Sequence, residues 1–271
     1  MAKLTRHRQK IVIIGCGNVA WHLAQHLSSL KKYELLVYNH RQNTALAEFQ
    51  EKLGCKVFSS LDAVTEDGDF YLVTVSDASI AKVETNINLK KPGALIMHTS
   101  GSVELSDLGE RAHGSAVFYP LQTFSKGDYV DWKEIPVIIE ADNEAVRKQA
   151  AAFAGEFTKK IVFADYTQRL KIHLAAVMVN NFANSLYAAA LGLLGNKKES
   201  QDVALLLPLI RQTVGKLDKM TPLKAQTGPA KRGDKVTIKK HLKVLGDKSD
   251  LKKIYKLLTK LIEKQQKKVH A

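Results

Sequence analysis

Two cysteines in 271 residues are too few to staple a disulfide scaffold, and their placement argues against one. Cys16 sits inside a glycine-rich turn and Cys55 begins a strand, so a reducing cytoplasm is the expected compartment. No uninterrupted apolar run reaches the roughly 18 residues of a membrane span, and no membrane partner is expected. The basic start from Met1 to Arg8 leads only into a first strand, so no signal peptide is expected either. Zinc-ligand spacing, an aromatic RNA-binding motif, a helix-turn-helix signature, internal repeats and low-complexity tracts are all missing. Acidic residues are scarce, 27 against 41 Lys and Arg, which gives a formal net charge of +14. That excess raises nucleic acid as a partner. Much of it, however, lies on Lys252, Lys253, Lys256, Lys260, Lys264, Lys267 and Lys268, between Leu251, Ile254, Leu258, Leu261 and Ile262 at helical spacing. A helix with one buried stripe and a solvated lysine face accounts for it without nucleic acid. No metal site is expected.

What is present is a strand, a turn and a helix start: Lys10-Ile11-Val12-Ile13-Ile14-Gly15-Cys16-Gly17-Asn18-Val19-Ala20. A β-branched run enters Gly-x-Gly-x-x-Ala and then a helix-compatible segment from Trp21 to Leu30. Gly15 makes the turn, Gly17 lets backbone approach a pyrophosphate, and Ala20 keeps helix and strand close. The free N–H groups and dipole of the helix start complete an anion site. Further strand-like runs are Leu35–Tyr38, Lys56–Phe58, Phe70–Val75, Ala94–His98, Ala116–Tyr119, Pro136–Glu140 and Lys160–Phe163, with helices at Thr44–Leu53, Ser79–Ile87 and Glu144–Phe157. Such alternation predicts an α/β Rossmann domain with a doubly wound, mostly parallel sheet over residues 1–165. From Tyr166 to Gly195 the chain is long, apolar and free of proline. Gln201–Met220 and the lysine-rich helix follow, so residues 166–271 read as an all-α domain for substrate binding and dimerisation.

Ligands of an open α/β sheet sit at the carboxyl ends of its strands. The second strand ends in Asn39-His40-Arg41, with no carboxylate for ribose hydroxyls. Arg41 suits a 2′-phosphate, which favours NADP, with NAD as the alternative. Val75-Ser76-Asp77, after the fourth strand, either line a nicotinamide ribose or, through Asp77 or Ser79, cap the next helix. His98-Thr99-Ser100-Gly101-Ser102 offers an imidazole and hydroxyls to a substrate, unless Ser100 or Ser102 caps a helix. Tyr119-Pro120-Leu121-Gln122-Thr123-Phe124 makes a polar and aromatic wall in which Tyr119, Gln122 and Thr123 are substrate contacts. On the long helix, Asn180 and Asn184 fall within about 20° of His173, and Arg169 about 40° away, at 100° per residue. Lys171 points the opposite way and Asn181 sits about 80° round. Polar side chains on a buried helix need partners, so Arg169, His173, Asn180, Asn181 and Asn184 form either an internal network or a ligand site.

These stretches, with Thr227-Gly228-Pro229-Ala230-Lys231-Arg232-Gly233-Asp234, resemble the Rossmann-like family carrying a domain of unknown function, DUF2520, whose members are labelled NADP oxidoreductases. The likeness extends to 6-phosphogluconate dehydrogenase-like, β-hydroxyacid dehydrogenase-like and F420-dependent NADP oxidoreductase-like proteins. It implies a cofactor domain joined to a helical domain that often dimerises. Two positions depart from the pattern: His40 stands where relatives often carry arginine, and Ala175 replaces the asparagine that follows Lys171 in β-hydroxyacid dehydrogenases. Thr227 is the expected cap of a helix begun by Pro229. The expected function is hydride transfer between nicotinamide and a small polar, anionic substrate in an interdomain cleft. His98 and His173 are the acid–base candidates, Ser100, Asn181 and Asn184 assist, and Arg169 holds the anion. A non-catalytic nucleotide-binding module is the competing class, and a homodimer through the helical domain is expected because Ser185–Leu194 and Val203–Ile210 are apolar almost all round.

Overall fold

A computed structural model describes residues 8–60, 64, 66–84, 87, 89–109, 114–195 and 199–269. Eight strands form one sheet: β1 (Gln9–Ile14), β2 (Tyr33–Tyr38), β3 (Lys56–Phe58), β4 (Phe70–Val73), β5 (Leu95–His98), β6 (Gly114–Pro120), β7 (Val137–Ala141) and β8 (Ile161–Phe163). Their order is β3-β2-β1-β4-β5-β6-β7-β8, and every neighbouring pair is parallel except β6 with β7. The exception has a local cause. Between β6 and β7 the chain forms only a short 3-10 turn at Trp132–Glu134, and an antiparallel neighbour needs no crossover helix.

Both faces of the sheet are covered, as a parallel sheet requires. Ile11 and Ile13 of β1 join one apolar layer with residues of α1 (Asn18–Ser29), α2 (Thr44–Leu53) and α4 (Glu144–Ala154). Val12 and Ile14, pointing the other way, join the layer containing Ile80 of α3 (Ile80–Glu84). The asparagines at 43 and 143 cap α2 and α4 by accepting from Leu46 and Val146 N–H. Part of the helix expected over Ser79–Ile87 lies outside the described residues.

The long helix begins at Tyr166 behind a capping box made by Asp165 and Gln168. It runs as α5 (Tyr166–Val177), a π-helical turn at Met178–Phe182 and α6 (Ala183–Leu194). Taken whole, its 29 residues are long and apolar enough to cross a membrane by length and composition. Interspersed asparagines hide this from a search for unbroken apolar runs. The compact units divide at Asn181 and Phe182, within this helix, whereas the sequence changes character near Asp165. Arg169 and His173 of α5 bond to Glu140 of β7 and Tyr119 of β6, which ties α5 to the first unit.

The second unit contains α6, α7 (Glu199–Gly215), α8 (Pro222–Ala225), α9 (Pro229–Arg232), α10 (Lys235–Val244) and α11 (Ser249–Val269). Gly228, not Thr227, is the N-cap of α9; its φ of 102° is a backbone conformation that favours glycine. Among the described residues of this unit, Leu245 is the one buried hydrophobic side chain. The stripe of α11 is not buried as expected: Ile254, Leu258 and Leu261 remain exposed.

Candidate active site

The glycine turn has the geometry its sequence implies. Gly15 has φ +111°, and a Cβ there would lie 2.9 Å from Thr74 Oγ1, so the position excludes other residues twice over. Gly17 is the N-cap of α1, and a Cβ on it would meet nothing. No side chain caps α1 and no acidic residue stands in its first turn. Ala20 is fully buried against the sheet. Free N–H groups facing open space, with nothing negative nearby, fit the pyrophosphate of a dinucleotide.

Around this turn lies a cavity of about 850 Å³. Gly17, Asn18 and Val19 form one wall with Thr74; Tyr119, Leu121, Gln122, Thr123 and Phe124 form a second; the face of the long helix with His173, Ala176, Val179, Asn180 and Asn181 forms a third. All of these belong to the first unit. Two hydrogen bonds bind the second wall to the cofactor helix: Asn18 Nδ2 donates to Phe124 O at 3.0 Å, and His22 Nε2 donates to Ser125 O at 2.9 Å. Lys126 then stacks over Trp21 and pairs with Glu48 of α2.

His173 and Tyr119 meet in the cavity wall. The Tyr119 hydroxyl is 3.0 Å from His173 Nδ1, and the rings sit edge to face with centroids 5.8 Å apart. Burial raises the Tyr119 pKa, against a smaller downward pull from the Arg169 charge, so the phenol keeps its proton at neutral pH. His173 Nε2 is left without a protein partner among the described residues. Gly101 makes the pairing sterically feasible: a Cβ there would come within 2.5 Å of His173 Nδ1 and 2.8 Å of Tyr119 Cζ. The glycine of His98-Thr99-Ser100-Gly101 therefore serves the imidazole on another element.

Three expected site residues turn inward instead. Arg169 is fully buried and its donors are occupied: Nε and Nη2 bind Glu140 Oε2 at 3.0 and 2.9 Å, Nη1 binds Ser100 O at 3.0 Å and Nη2 binds Val103 O at 2.7 Å. It ties the loop after β5 to α5 and β7 and is not free to hold a substrate anion. His98 is fully buried, accepts from Ser100 N–H at Nδ1 and does not line the cavity. Burial first, then the Arg169 charge, push its pKa from 6.5 to about 4, outweighing the opposing pull of Asp77 and the Glu104 carbonyl. A neutral imidazole at that depth is a poor proton shuttle. Ser100 Oγ accepts from the N–H groups of Ser102 and Val103, both at 3.1 Å, and so shapes its own loop.

The helix wall also differs from its ideal wheel. The π turn at Met178–Phe182 widens the spiral, so that Asn180 and Asn181 both line the cavity while Asn184 falls outside the lining. On the cofactor side, Asn39 Nδ2 donates to Arg41 O at 2.7 Å and fixes that loop, with His40 and Arg41 exposed. Cys16 is half-buried, with Sγ near Asn43. Val75, Ser76 and Asp77 do not line the cavity. Ser76 is the N-cap position of the 3-10 turn at Asp77–Ser79, and Asp77 Oδ2 accepts from Ser102 Oγ at 2.6 Å. Of the small polar residues at the end of the fourth strand, it is Thr74 that lines the cavity; sequence reasoning missed Glu140 as the partner of Arg169, for which a lone carboxylate near the end of β7 was the available signal.

The model of a domain of unknown function, DUF2520, matches residues 135–262, and that of the coenzyme F420-dependent NADP oxidoreductases matches residues 10–100. A comparison with curated proteins finds no match. Among solved structures, a putative NADP oxidoreductase from Bacteroides fragilis is 35% identical, with a TM-score of 0.85, covering 95% of this chain and 98% of its own. A Thermotoga maritima protein shares the fold at 21% identity and a TM-score of 0.73, covering 96% of this chain and all of its own. Pyrroline carboxylate reductase from Plasmodium falciparum, solved with NADP bound, shares it at 13% identity and 0.60, covering 95% and 98%. The chain belongs to the family of Rossmann-like, DUF2520-containing proteins that resemble NADP oxidoreductases.

Proposed function

We propose that the protein is an NAD(P)-dependent oxidoreductase, with NADP preferred, acting on a small polar substrate in the cavity beside Tyr119 and His173. The observation that carries this reading is the meeting of an open helix N-terminus and a Tyr–His pair in one cavity of about 850 Å³, within the range of cofactor sites. A nicotinamide cofactor supplies hydride chemistry when bound. Gly15, Cys16, Gly17, Asn18 and Val19 hold its pyrophosphate, while Asn39, His40 and Arg41 meet the adenine ribose. His173 Nε2 moves the proton. The Tyr119 hydroxyl both donates and accepts, so it keeps a bond to Nδ1 in either charge state of the imidazole. Asn180, Asn181, Gln122 and Thr123 orient the substrate. Among the described residues no Asp, Glu, Lys or Arg lines the cavity, so this reading does not require an anionic substrate. The two free cysteines fit a cytoplasmic setting.

Titration of the parent with NADPH and NADH, followed by a screen of carbonyl and imine compounds for NADPH oxidation, tests the reading. His173→Ala should abolish whatever turnover the screen finds while leaving nucleotide affinity within about twofold, as expected of a group acting mainly in the transition state. A parent that binds neither nucleotide refutes the assignment. Tight binding with no turnover across the screen favours the non-catalytic module.

A further inference from the structure

We infer that Arg169 is a positioning residue for His173: by gripping the main chain on both sides of Gly101, it holds that glycine against the imidazole and keeps Nδ1 on the Tyr119 hydroxyl. The inference rests on reading the cavity beside Tyr119 and His173 as the reaction site. Arg169 and His173 stand four residues apart on α5, about one helical turn, so whatever fixes the arginine to a neighbour also fixes the backbone that carries the histidine. That neighbour is the loop after β5. Nη1 donates to Ser100 O at 3.0 Å and Nη2 to Val103 O at 2.7 Å, so one guanidinium spans the stretch that contains Gly101. The imidazole rests on that glycine, where a Cβ would collide with both rings of the pair.

The loop has two further supports, and they act elsewhere. Ser100 Oγ accepts from Ser102 and Val103 N–H, which shapes the turn but does not set its distance from α5. Ser102 Oγ donates to Asp77 Oδ2 at 2.6 Å, an exposed bond toward the loop after β4. Of the three supports, Arg169 alone joins the loop to the helix that carries His173.

The chemistry of arginine suits this task better than it suits cohesion. A buried ion pair is a weak source of stability beside apolar side chains of the same volume, so packing alone does not call for one here. A rigid planar fork does something apolar groups cannot. Braced by Glu140 Oε2 at 3.0 and 2.9 Å, it reaches two carbonyls in fixed geometry, which a lysine ammonium on a flexible stem does not reproduce. Its charge is also felt at the ring pair, where it draws the Tyr119 pKa down against burial.

The test reads the imidazole itself. With histidine labelled at Cε1, the His173 line among the nine histidines is assigned by its loss in His173→Ala. Tyr119→Phe removes the bond and supplies the line position of an unbonded ring. Arg169→Lys keeps the charge and loses the fork. Its His173 line should move at least halfway from the parent position toward that of Tyr119→Phe, with the fluorescence of the buried Trp21 and Trp132 reporting a folded unit. Lower stability alone would leave the line in place. If Arg169→Lys does not fold, Glu140→Gln with Arg169→Met, which strands neither charge, supplies the same reading. A folded variant whose His173 line stays at the parent position overturns the inference. For any substrate that is turned over, kcat should fall in Arg169→Lys about as far as in Tyr119→Phe, with nucleotide affinity unchanged, and a parental kcat overturns it too. NADPH titration keeps the two readings apart. A parent without affinity for nucleotide whose variant shows the moved line sinks only the oxidoreductase, whereas bound NADPH with an unmoved line sinks only the positioning role.

Discussion

Glu140→Gln isolates the charge that Glu140 supplies to Arg169. The guanidinium is fully buried, and its bonds to Glu140 Oε2 are 2.9 and 3.0 Å long. Glutamine keeps an oxygen in place to accept one of these bonds, so the substitution removes mainly the negative charge. Stranding one member of a buried pair costs about 3–5 kcal/mol. The Glu140 side chain is 16% exposed, which admits some solvent screening and favours the lower end, about 3 kcal/mol. Both tryptophans, Trp21 and Trp132, are buried in the first unit, so their fluorescence in urea follows the unit that contains the pair. The urea midpoint should fall at unchanged slope, and heating should show a melting point about 6–12 °C lower, at 2–4 °C per kcal/mol. Replacing both partners, Glu140→Gln with Arg169→Met, should cost less than the sum of the two single changes. A loss below about 1 kcal/mol for Glu140→Gln would show that water already solvates the guanidinium, and the buried clamp would be wrong.

Three further outcomes follow from the same geometry. His98 is held neutral in the folded protein, with a pKa of about 4 against 6.5, so its contribution is complete above pH 6.5 and drains away as the pH falls toward 4. His98→Asn, which can still accept from Ser100 N–H, should remove roughly 3 kcal/mol of stability change across that window, and parallel urea curves for parent and variant between pH 7 and 4 would refute it. Gly101→Ala should push His173 and Tyr119 apart and lower turnover about 100-fold, the effect of a misplacement near 1 Å, with nucleotide affinity unchanged; normal turnover would show that the ring pair is not needed. Arg41→Ala should weaken NADPH about tenfold and NADH hardly at all, and equal losses for both would remove Arg41 from the 2′-phosphate.

The sheet was legible because each strand is a short β-branched or apolar run bounded by polar punctuation, and all eight appear where such runs lie. The glycine turn was legible because Gly15 has a steric reason that no other residue satisfies. The chemistry around it was less so. Arg169 looked like a substrate anchor because its carboxylate partner lies 29 positions earlier in sequence, on a strand that periodicity alone shows as apolar. His98 stands at a strand end, where ligands collect, but the inward or outward turn of one imidazole depends on packing from Arg169 and the Ser100 loop. The uniform wheel placed Asn184 beside His173, and a single π turn undid that phase. Tyr119 and His173, 54 residues apart, were each singled out, but nothing local said that they touch.

The bonds from Asn18 and His22 to the loop after β6 end on main-chain carbonyls, those of Phe124 and Ser125. Any residue at 124 or 125 presents the same acceptor, so these two bonds do not depend on the side chains there, while the Phe124 ring on His22 and Trp132 and the Lys126–Glu48 pair add anchors that do. Gln122 Oε1 accepts from Thr123 N–H at 2.8 Å and so helps to shape the loop, whereas the Thr123 side chain faces the cavity without such a bond among the described residues. Evolution or an engineer can rewrite what the cavity accepts at Thr123 while the nucleotide turn keeps its footing on the carbonyls of 124 and 125, which makes substrate preference a modular trait of this scaffold.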